Sequence, residues 1–336
     1  MAAGSVGFIG LGVMGSAMSS HLLEAGYRVA GFDTDPARRA EHGDRGGQLA
    51  ASPAEVAAQA GIIVTSLPST GALNAVLTGA DGLAWGPRPG PIVIETSTLD
   101  PQAKEEARAA LAKRGGWLLD CPMSGTGAQA RNKDLVAYLS GDDAAKAQAL
   151  PVVAAMTRRV YDVGPFGNGS RMKIVANLLV TVHNLAAAEA LLLAERAGLD
   201  PAAVLEAVGD GAGTSRMFEV RGPAMAAGDY SQPGIRASVF AKDIDIIARF
   251  AAGLSSPTPL FTVASAFYQA ALDQGRGEED TSCVHAVLKQ LPPGPGQGES
   301  IAQEGNAGEN NAGDDSAAGN GRAVDGALGN KGGLGC

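Results

Sequence analysis

Aromatic residues are scarce in this chain, at 4% of 336 positions. A core without them is filled by aliphatic side chains, and the many Ala and 47 Gly residues point to closely packed helices and tight turns. Cysteine is almost absent. Cys121, Cys283 and Cys336 are odd in number and far apart, so they support neither a disulfide framework nor a cysteine metal site. Unpaired thiols suit a reducing compartment, and a cytoplasmic location is expected. Positive charge is also in deficit: 26 Lys and Arg stand against 35 Asp and Glu, for a formal net charge of −9. That balance excludes nucleic acid as the main partner, because phosphate backbones need a basic surface. It leaves room for a local basic pocket that takes an acidic ligand. The apolar N-terminus has no basic segment ahead of it, so no secretory leader is expected. The apolar stretch 178–193 is interrupted by His183, Asn184 and Glu189, so no membrane partner is expected either. No paired carboxylates, metal-ligand spacing or Ser/His/Asp arrangement stands out, and no metal is predicted.

What is present is a switch in periodicity along the chain. Residues 5–10, 28–32, 62–67, 92–95, 117–120, 137–140 and 159–163 read as short apolar or β-branched strands separated by helical segments. Strands alternating with helices predict βαβ units and a doubly wound, mainly parallel sheet over residues 1–164. After Gly164 the character changes. One long helical pattern runs from Gly169 to Ala197 and is closed by Gly198, and further helices are expected over 201–208, 239–254, 260–273 and 281–288. The second domain, 165–291, is therefore nearly all helix. From Pro292 to Cys336 the chain is rich in Gly, Asn, Asp, Glu and Ala without periodicity, and a disordered tail is expected.

Between the first strand and its helix lies Gly10-Leu11-Gly12-Val13-Met14-Gly15, with Asp33 at the end of the next strand. Gly10 permits a tight turn, Gly12 lets the backbone approach a pyrophosphate, and Gly15 lets the helix pack on the strand. The helix N-terminus supplies N–H groups for the phosphates. Asp33 falls where a carboxylate binds the adenosine ribose and repels a 2′-phosphate. This favours NAD over NADP, although Arg38 and Arg39 lie close enough in sequence to meet a phosphate.

Three further clusters carry chemistry. Asp120-Cys121-Pro122-Met123-Ser124-Gly125-Thr126-Gly127 follows a strand end, where open α/β sheets bind ligands, and its glycines and hydroxyls suit a carboxylate. Gly169-Ser170-Arg171-Met172-Lys173 precedes Asn177, and residues four apart share a helix face. A lysine stripped of water beside a cationic ring loses basicity and becomes able to take a hydroxyl proton. A solvated lysine near a helix start is the competing reading. Lys242-Asp243 offers a cation to a cofactor or substrate across a cleft, with an exposed ion pair as its alternative.

Together these segments resemble the β-hydroxyacid dehydrogenases, typified by 3-hydroxyisobutyrate dehydrogenase and tartronate semialdehyde reductase. The opening Val6 to Gly15, the segment Asp120 to Gly125, the segment Gly169 to Asn177 and Lys242-Asp243 occur in that family's order over roughly residues 5–290. The resemblance implies a Rossmann-type domain followed by an all-α domain like that of 6-phosphogluconate dehydrogenase. It implies NAD as cofactor, with NADP possible, a small hydroxy-carboxylate substrate, and a homodimer or homotetramer. By position, Lys173 resembles the catalytic lysine and Asn177 the asparagine that orients substrate. Ser124, Gly125 and Thr126 resemble the carboxylate-binding turn, and Leu67, Pro68, Thr96 and Lys242 resemble cofactor contacts. There are departures: Thr126 stands where glycine is usual, and Ala176 where asparagine is frequent. Residues 182–190 look more like the threonate dehydrogenase branch than the isobutyrate branch. The rivals are an imine reductase on the same frame, against which Lys173 speaks, and 6-phosphogluconate dehydrogenase, whose helical domain is larger. A silent NAD-binding module is the third, against which the Lys173 and Asn177 pair argues. His183 and Asn184 read as packing residues, Arg216 and Arg221 as surface pairs, and Asp120 as a turn former.

Overall fold

The computed structural model describes residues 4–86 and 90–292. Six strands form one parallel sheet: β1 (Ser5–Ile9), β2 (Arg28–Phe32), β3 (Gln48–Leu49), β4 (Ile62–Thr65), β5 (Ile92–Glu95) and β6 (Trp117–Asp120), in the order β3-β2-β1-β4-β5-β6. Both faces are covered, so successive residues of one strand enter different cores. Phe8, Val64, Ile94 and Leu119 face one side, and Ile9, Ile63, Val93 and Leu118 the other. Each such apolar side chain contributes about 1.5–3 kcal/mol by leaving water. This two-sided burial explains why the strands read as apolar runs rather than as alternations.

The helices that connect them are α1 (Val13–Glu24), α2 (Pro36–Asp44), α3 (Pro53–Gln59), α4 (Thr70–Thr78) and α5 (Pro101–Ala112). Proline opens α2, α3 and α5, each time after a residue whose side chain accepts a hydrogen bond from the first turn: Asp35, Ser52 and Asp100. A fixed φ and a satisfied amide at the same point start a helix abruptly, which keeps the connections short.

The strands at 137–140 and 159–163 do not extend this sheet, contrary to the single series that their spacing suggests. They form a second sheet of β7 (Met123–Ser124), β8 (Val136–Leu139) and β9 (Arg159–Asp162), with β7 antiparallel to β8. The break between β6 and β7 falls at Pro122, which has no N–H to give to a ladder. The antiparallel register with β8 runs through that break: Asp120 bridges Ser140, the Pro122 carbonyl accepts a hydrogen bond from the Tyr138 amide, and Met123 pairs with Ala137. Helices α6 (Gly127–Arg131) and α7 (Asp143–Met156) complete this part.

The remainder is helical: α8 (Asn168–Arg196), α9 (Pro201–Gly209), α10 (Arg216–Ala227), α11 (Ala237–Gly253), α12 (Pro259–Asp273) and α13 (Val284–Lys289). The predicted helix over 281–288 begins as a 3-10 turn, Thr281–Cys283, and α10 had no counterpart in the sequence reading. The 29 residues of α8 make a rod about 43 Å long. By length and composition that rod is apolar enough to cross a bilayer, yet its buried side includes Lys173, Asn177, Thr181 and Asn184. It is the spine on which Phe218, Phe240, Ile247 and Tyr268 pack with Leu185 and Leu191. The expected tail lies outside the described residues from 293 onward.

Candidate active site

The carboxyl ends of β1 and β4 are neighbours whose connections leave toward opposite sides of the sheet order, which opens a crevice between them. Gly10 sits at that point with φ +91°, and a Cβ on it would lie 2.1 Å from the Ser66 carbonyl oxygen. A Cβ on Gly15 would lie 1.8 Å from the Gly10 carbonyl oxygen. The fold itself requires both glycines. Gly12 differs: a Cβ there would meet only the Arg38 guanidinium, at 3.4 Å. Its missing side chain leaves room beside the N-terminus of α1, where a pyrophosphate fits. The remaining residues of the segment divide by role. Leu11 is buried and donates its amide to Asp33 Oδ2 at 2.7 Å, Met14 packs on the core, and Val13 is exposed beside Gly127.

Asp33 is buried. Its Oδ1 accepts from the Asp35 amide at 2.9 Å, and the Arg38 guanidinium stands 3.7 Å from Oδ2. Arg39 turns away from the carboxylate and donates to the Asp33 carbonyl. On the other wall, the Leu67 amide donates to Ser97 Oγ at 2.7 Å, Pro68 is exposed, and the buried Thr96 donates its hydroxyl to the Thr65 carbonyl. The Thr96 hydroxyl is thus already engaged by β4, which leaves other atoms of this residue to face a ligand.

The second wall comes from α8 and α11. Lys173 is buried on the first turns of α8, and removal of water lowers its pKa from 10.5 to about 8. The Asp243 carboxylate opposes that shift and the Lys242 ammonium adds to it. Asn177, one turn on, donates its amide to Asp243 Oδ2 at 2.9 Å, and Lys242 donates to Asp243 Oδ1 at 2.8 Å. Lys242 also donates to the Thr98 carbonyl, just past β5, and so reaches across the crevice. Its pair with Asp243 is half-buried rather than fully exposed. Lys173, Asn177, Lys242 and Asp243 therefore converge. Asp243 was not among the predicted site residues: the sequence offered it only as the partner of Lys242 in an exposed ion pair, and its bond to Asn177 comes from a position 66 residues away.

The start of α8 is fixed by Asp120, which is far more than a turn former. Its carboxylate is wholly buried, pairs with the buried Lys104 at 2.9 Å, and accepts from the Ser170 amide at 2.7 Å and hydroxyl at 2.8 Å. Gly169 fits because a Cβ there would stand 2.5 Å from the Tyr138 carbonyl and 2.6 Å from that of Asp120. Lys173 lies one helical turn beyond this anchor.

The predicted carboxylate turn lies beside α8. Gly125 has φ +141°, and a Cβ on it would strike Leu135 at 2.6 Å. Ser124 is half-buried. Thr126 caps α6 in a reciprocal pair: its amide donates to Gln129 Oε1 at 3.0 Å, and its hydroxyl accepts from the Gln129 amide at 3.3 Å. Its N–H is therefore engaged internally. Among the other candidates, Asn184 donates to the Tyr268 hydroxyl and the Thr281 carbonyl, as a packing residue should, and His183 is half-buried. Arg216 is an exposed partner of Glu219. Arg221 corrects the surface reading: it is buried 3.9 Å from Asp280. Among the described residues no cluster of His, Cys, Asp or Glu suited to a metal occurs.

Known proteins fit this geometry. Residues 5–164 match the family described as the NAD binding domain of 6-phosphogluconate dehydrogenase. Residues 167–288 match the NAD-binding domain of NADP-dependent 3-hydroxyisobutyrate dehydrogenase. The chain is 37% identical over 289 residues to L-threonate dehydrogenase of Cupriavidus necator, covering 86% of this chain and 96% of that protein. It is 31% identical to the mitochondrial 3-hydroxyisobutyrate dehydrogenase of Mus musculus, over 86% of this chain and 88% of the relative. A crystal structure of 3-hydroxyisobutyrate dehydrogenase from Salmonella typhimurium superposes with a TM-score of 0.77 at 34% identity, over 84% of this chain and 99% of the other. A glycine corner that admits a dinucleotide, a helical domain beginning at its edge and relatives matched over nearly their whole length lead to one assignment: the chain belongs to the β-hydroxyacid dehydrogenases and is an NAD(P)-dependent 3-hydroxyacid dehydrogenase.

Proposed function

We propose that the enzyme oxidises a small polyhydroxy acid of the threonate type, with Lys173 as the acid/base residue and NAD as the preferred coenzyme. The burial of Lys173 beside Asn177 and Asp243 carries this reading. A nicotinamide coenzyme, when bound, supplies the hydride acceptor. Lys173, as the free amine, takes the hydroxyl proton of the substrate, and as the ammonium it returns that proton in the reverse direction. Asn177 is held by Asp243 with its carbonyl oxygen left to orient the hydroxyl or the amine. Ser124 and Gly125, at the turn beside α8, receive the substrate carboxylate, and Thr126 shapes that turn rather than donating its amide. Lys242 bridges the crevice to Thr98 and borders both ligands. Leu67, Pro68 and Thr96 line the nicotinamide side.

The preference for NAD is supported by Asp33, whose fixed carboxylate would meet a 2′-phosphate, while Arg38 offsets part of that charge. The preference for a threonate-type acid is supported by the 37% relative and by residues 182–190. Met172, Val175, Leu179 and Leu193 are exposed on one side of α8, and a second copy of the chain covering them is part of this proposal.

A spectrophotometric screen of threonate, glycerate, 3-hydroxyisobutyrate and serine, each with NAD and NADP, tests the substrate class. The expected result is fastest turnover of threonate with NAD. Lys173→Ala is expected to lower kcat by about 10²–10⁴-fold with unchanged NAD affinity. Equal turnover in wild type and variant would remove Lys173 from the mechanism.

A further inference from the structure

The loop between α10 and α11 passes over the substrate turn. A Cβ placed on Gly234 would lie 3.5 Å from Thr126 Cγ2 and 3.6 Å from Thr126 Cβ. Two parts of the chain 108 positions apart meet there, one beside the proposed carboxylate turn and the other in the helical domain. The loop has no regular structure of its own, so something else must hold it. The segment 277–281 does so. The Ala237 amide donates to the Glu279 carbonyl, Ser238 to Gly277, Asp280 to Tyr230 and Thr281 to Ile235. The closest hold is a side chain: Asp280 Oδ2 accepts from the Gly234 amide at 2.8 Å and from the Ile235 amide at 3.2 Å. Its other oxygen caps the Ser282 amide at 2.9 Å. The buried Arg221 stands behind it at 3.9 Å, with Nη1 lacking a protein partner among the described residues.

We infer that Asp280 is a positioning residue for substrate selectivity: by pinning the loop at Gly234, which packs against Thr126, it fixes the pocket wall beside the Ser124–Thr126 turn. The inference rests on the reading of that turn as the carboxylate site. Two residues are matched across the wall. Thr126 brings bulk where the family usually has glycine, and Gly234 brings none. A carboxylate that receives three amides and faces a buried guanidinium is rigid, so the wall cannot drift outward to admit a longer acid. Pocket depth set this way discriminates by about one methylene, which corresponds to roughly 10–200-fold in kcat/KM.

The test compares wild type, Asp280→Ala and Gly234→Val with saturating NAD on glycerate, threonate and a five-carbon sugar acid. Asp280→Ala releases the loop. The ratio of kcat/KM between the longest and the shortest acid is expected to rise about tenfold, mostly through KM, with unchanged NAD affinity. Gly234→Val keeps the pin but thickens the wall against Thr126, and is expected to move the same ratio the other way. A merely structural residue would scale all three acids by one factor. That result for both variants overturns the inference. If Asp280→Ala yields no soluble protein, Gly234→Val decides alone, and an unchanged ratio overturns the inference. A wild type that oxidises none of the acids overturns the proposed function itself.

Discussion

The two halves of the molecule build their share of the site from different materials. The sheet half offers backbone: the Gly10 turn, the open edge at Gly12 and the amides at the start of α1. The helical half offers side chains on rods: Lys173, Asn177, Lys242 and Asp243. Backbone sites depend on which residues are absent, because a single added Cβ closes them. Side-chain sites depend on burial and on partners that come from distant parts of the chain. In the proposed reaction the first kind binds, and the second kind moves a proton.

Three experiments sharpen or break this contrast. The largest effect is expected at the joint between the halves. Asp120→Ala leaves the buried Lys104 ammonium without its carboxylate and frees Ser170. A loss of about 3–5 kcal/mol in unfolding free energy is expected by denaturant titration. A loss below 1 kcal/mol would show that the joint is not held by this ion pair. Next comes pH. In the proposed reaction oxidation requires Lys173 as the free amine, and burial lowers its pKa to about 8. Below that value the ammonium dominates. The kcat/KM for oxidation should therefore rise about tenfold per pH unit up to about 8 and then level off, while reduction should fall above it. An oxidation profile that is flat from pH 6 to 9 would contradict the role of Lys173. The smallest pair of effects separates the glycines. Gly15→Ala forces a Cβ into the Gly10 carbonyl and is expected to destabilise the fold by about 1–3 kcal/mol. Gly12→Ala should leave the melting temperature unchanged while weakening NAD binding, as read by calorimetry. If both variants behave alike, the division between fold glycine and ligand glycine fails.

The sheet half was the more legible in sequence for the same reason. Its strands are buried on both faces, so 5–9, 28–32, 62–65, 92–95 and 117–120 stand out as apolar runs, and its glycine spacing carries its own geometry. Strands β8 and β9 were legible at 137–140 and 159–163, but their antiparallel partner was not, because β7 has two residues and is cut from β6 at Pro122. Helix α10 was hidden by Gly222 and Pro223 within it. In the site, Lys173, Asn177 and Lys242 could be named from segments of recognisable order. Asp243, Asp120 with Lys104, and Asp280 with Arg221 could not be given their roles. The worth of a buried charge depends on a partner tens of residues away, and no local pattern records that partner.

The anchoring of α8 at its first turn has a mechanical consequence. For a rod about 43 Å long clamped at Ser170, any tilt would pivot about that clamp. A tilt of about 5° carries the Arg196 end some 3–4 Å sideways, yet shifts the backbone at position 173 by less than about half an ångström. Were the helical half to tilt in this way during ligand entry or product departure, the amine proposed to handle the proton would stay near the fulcrum.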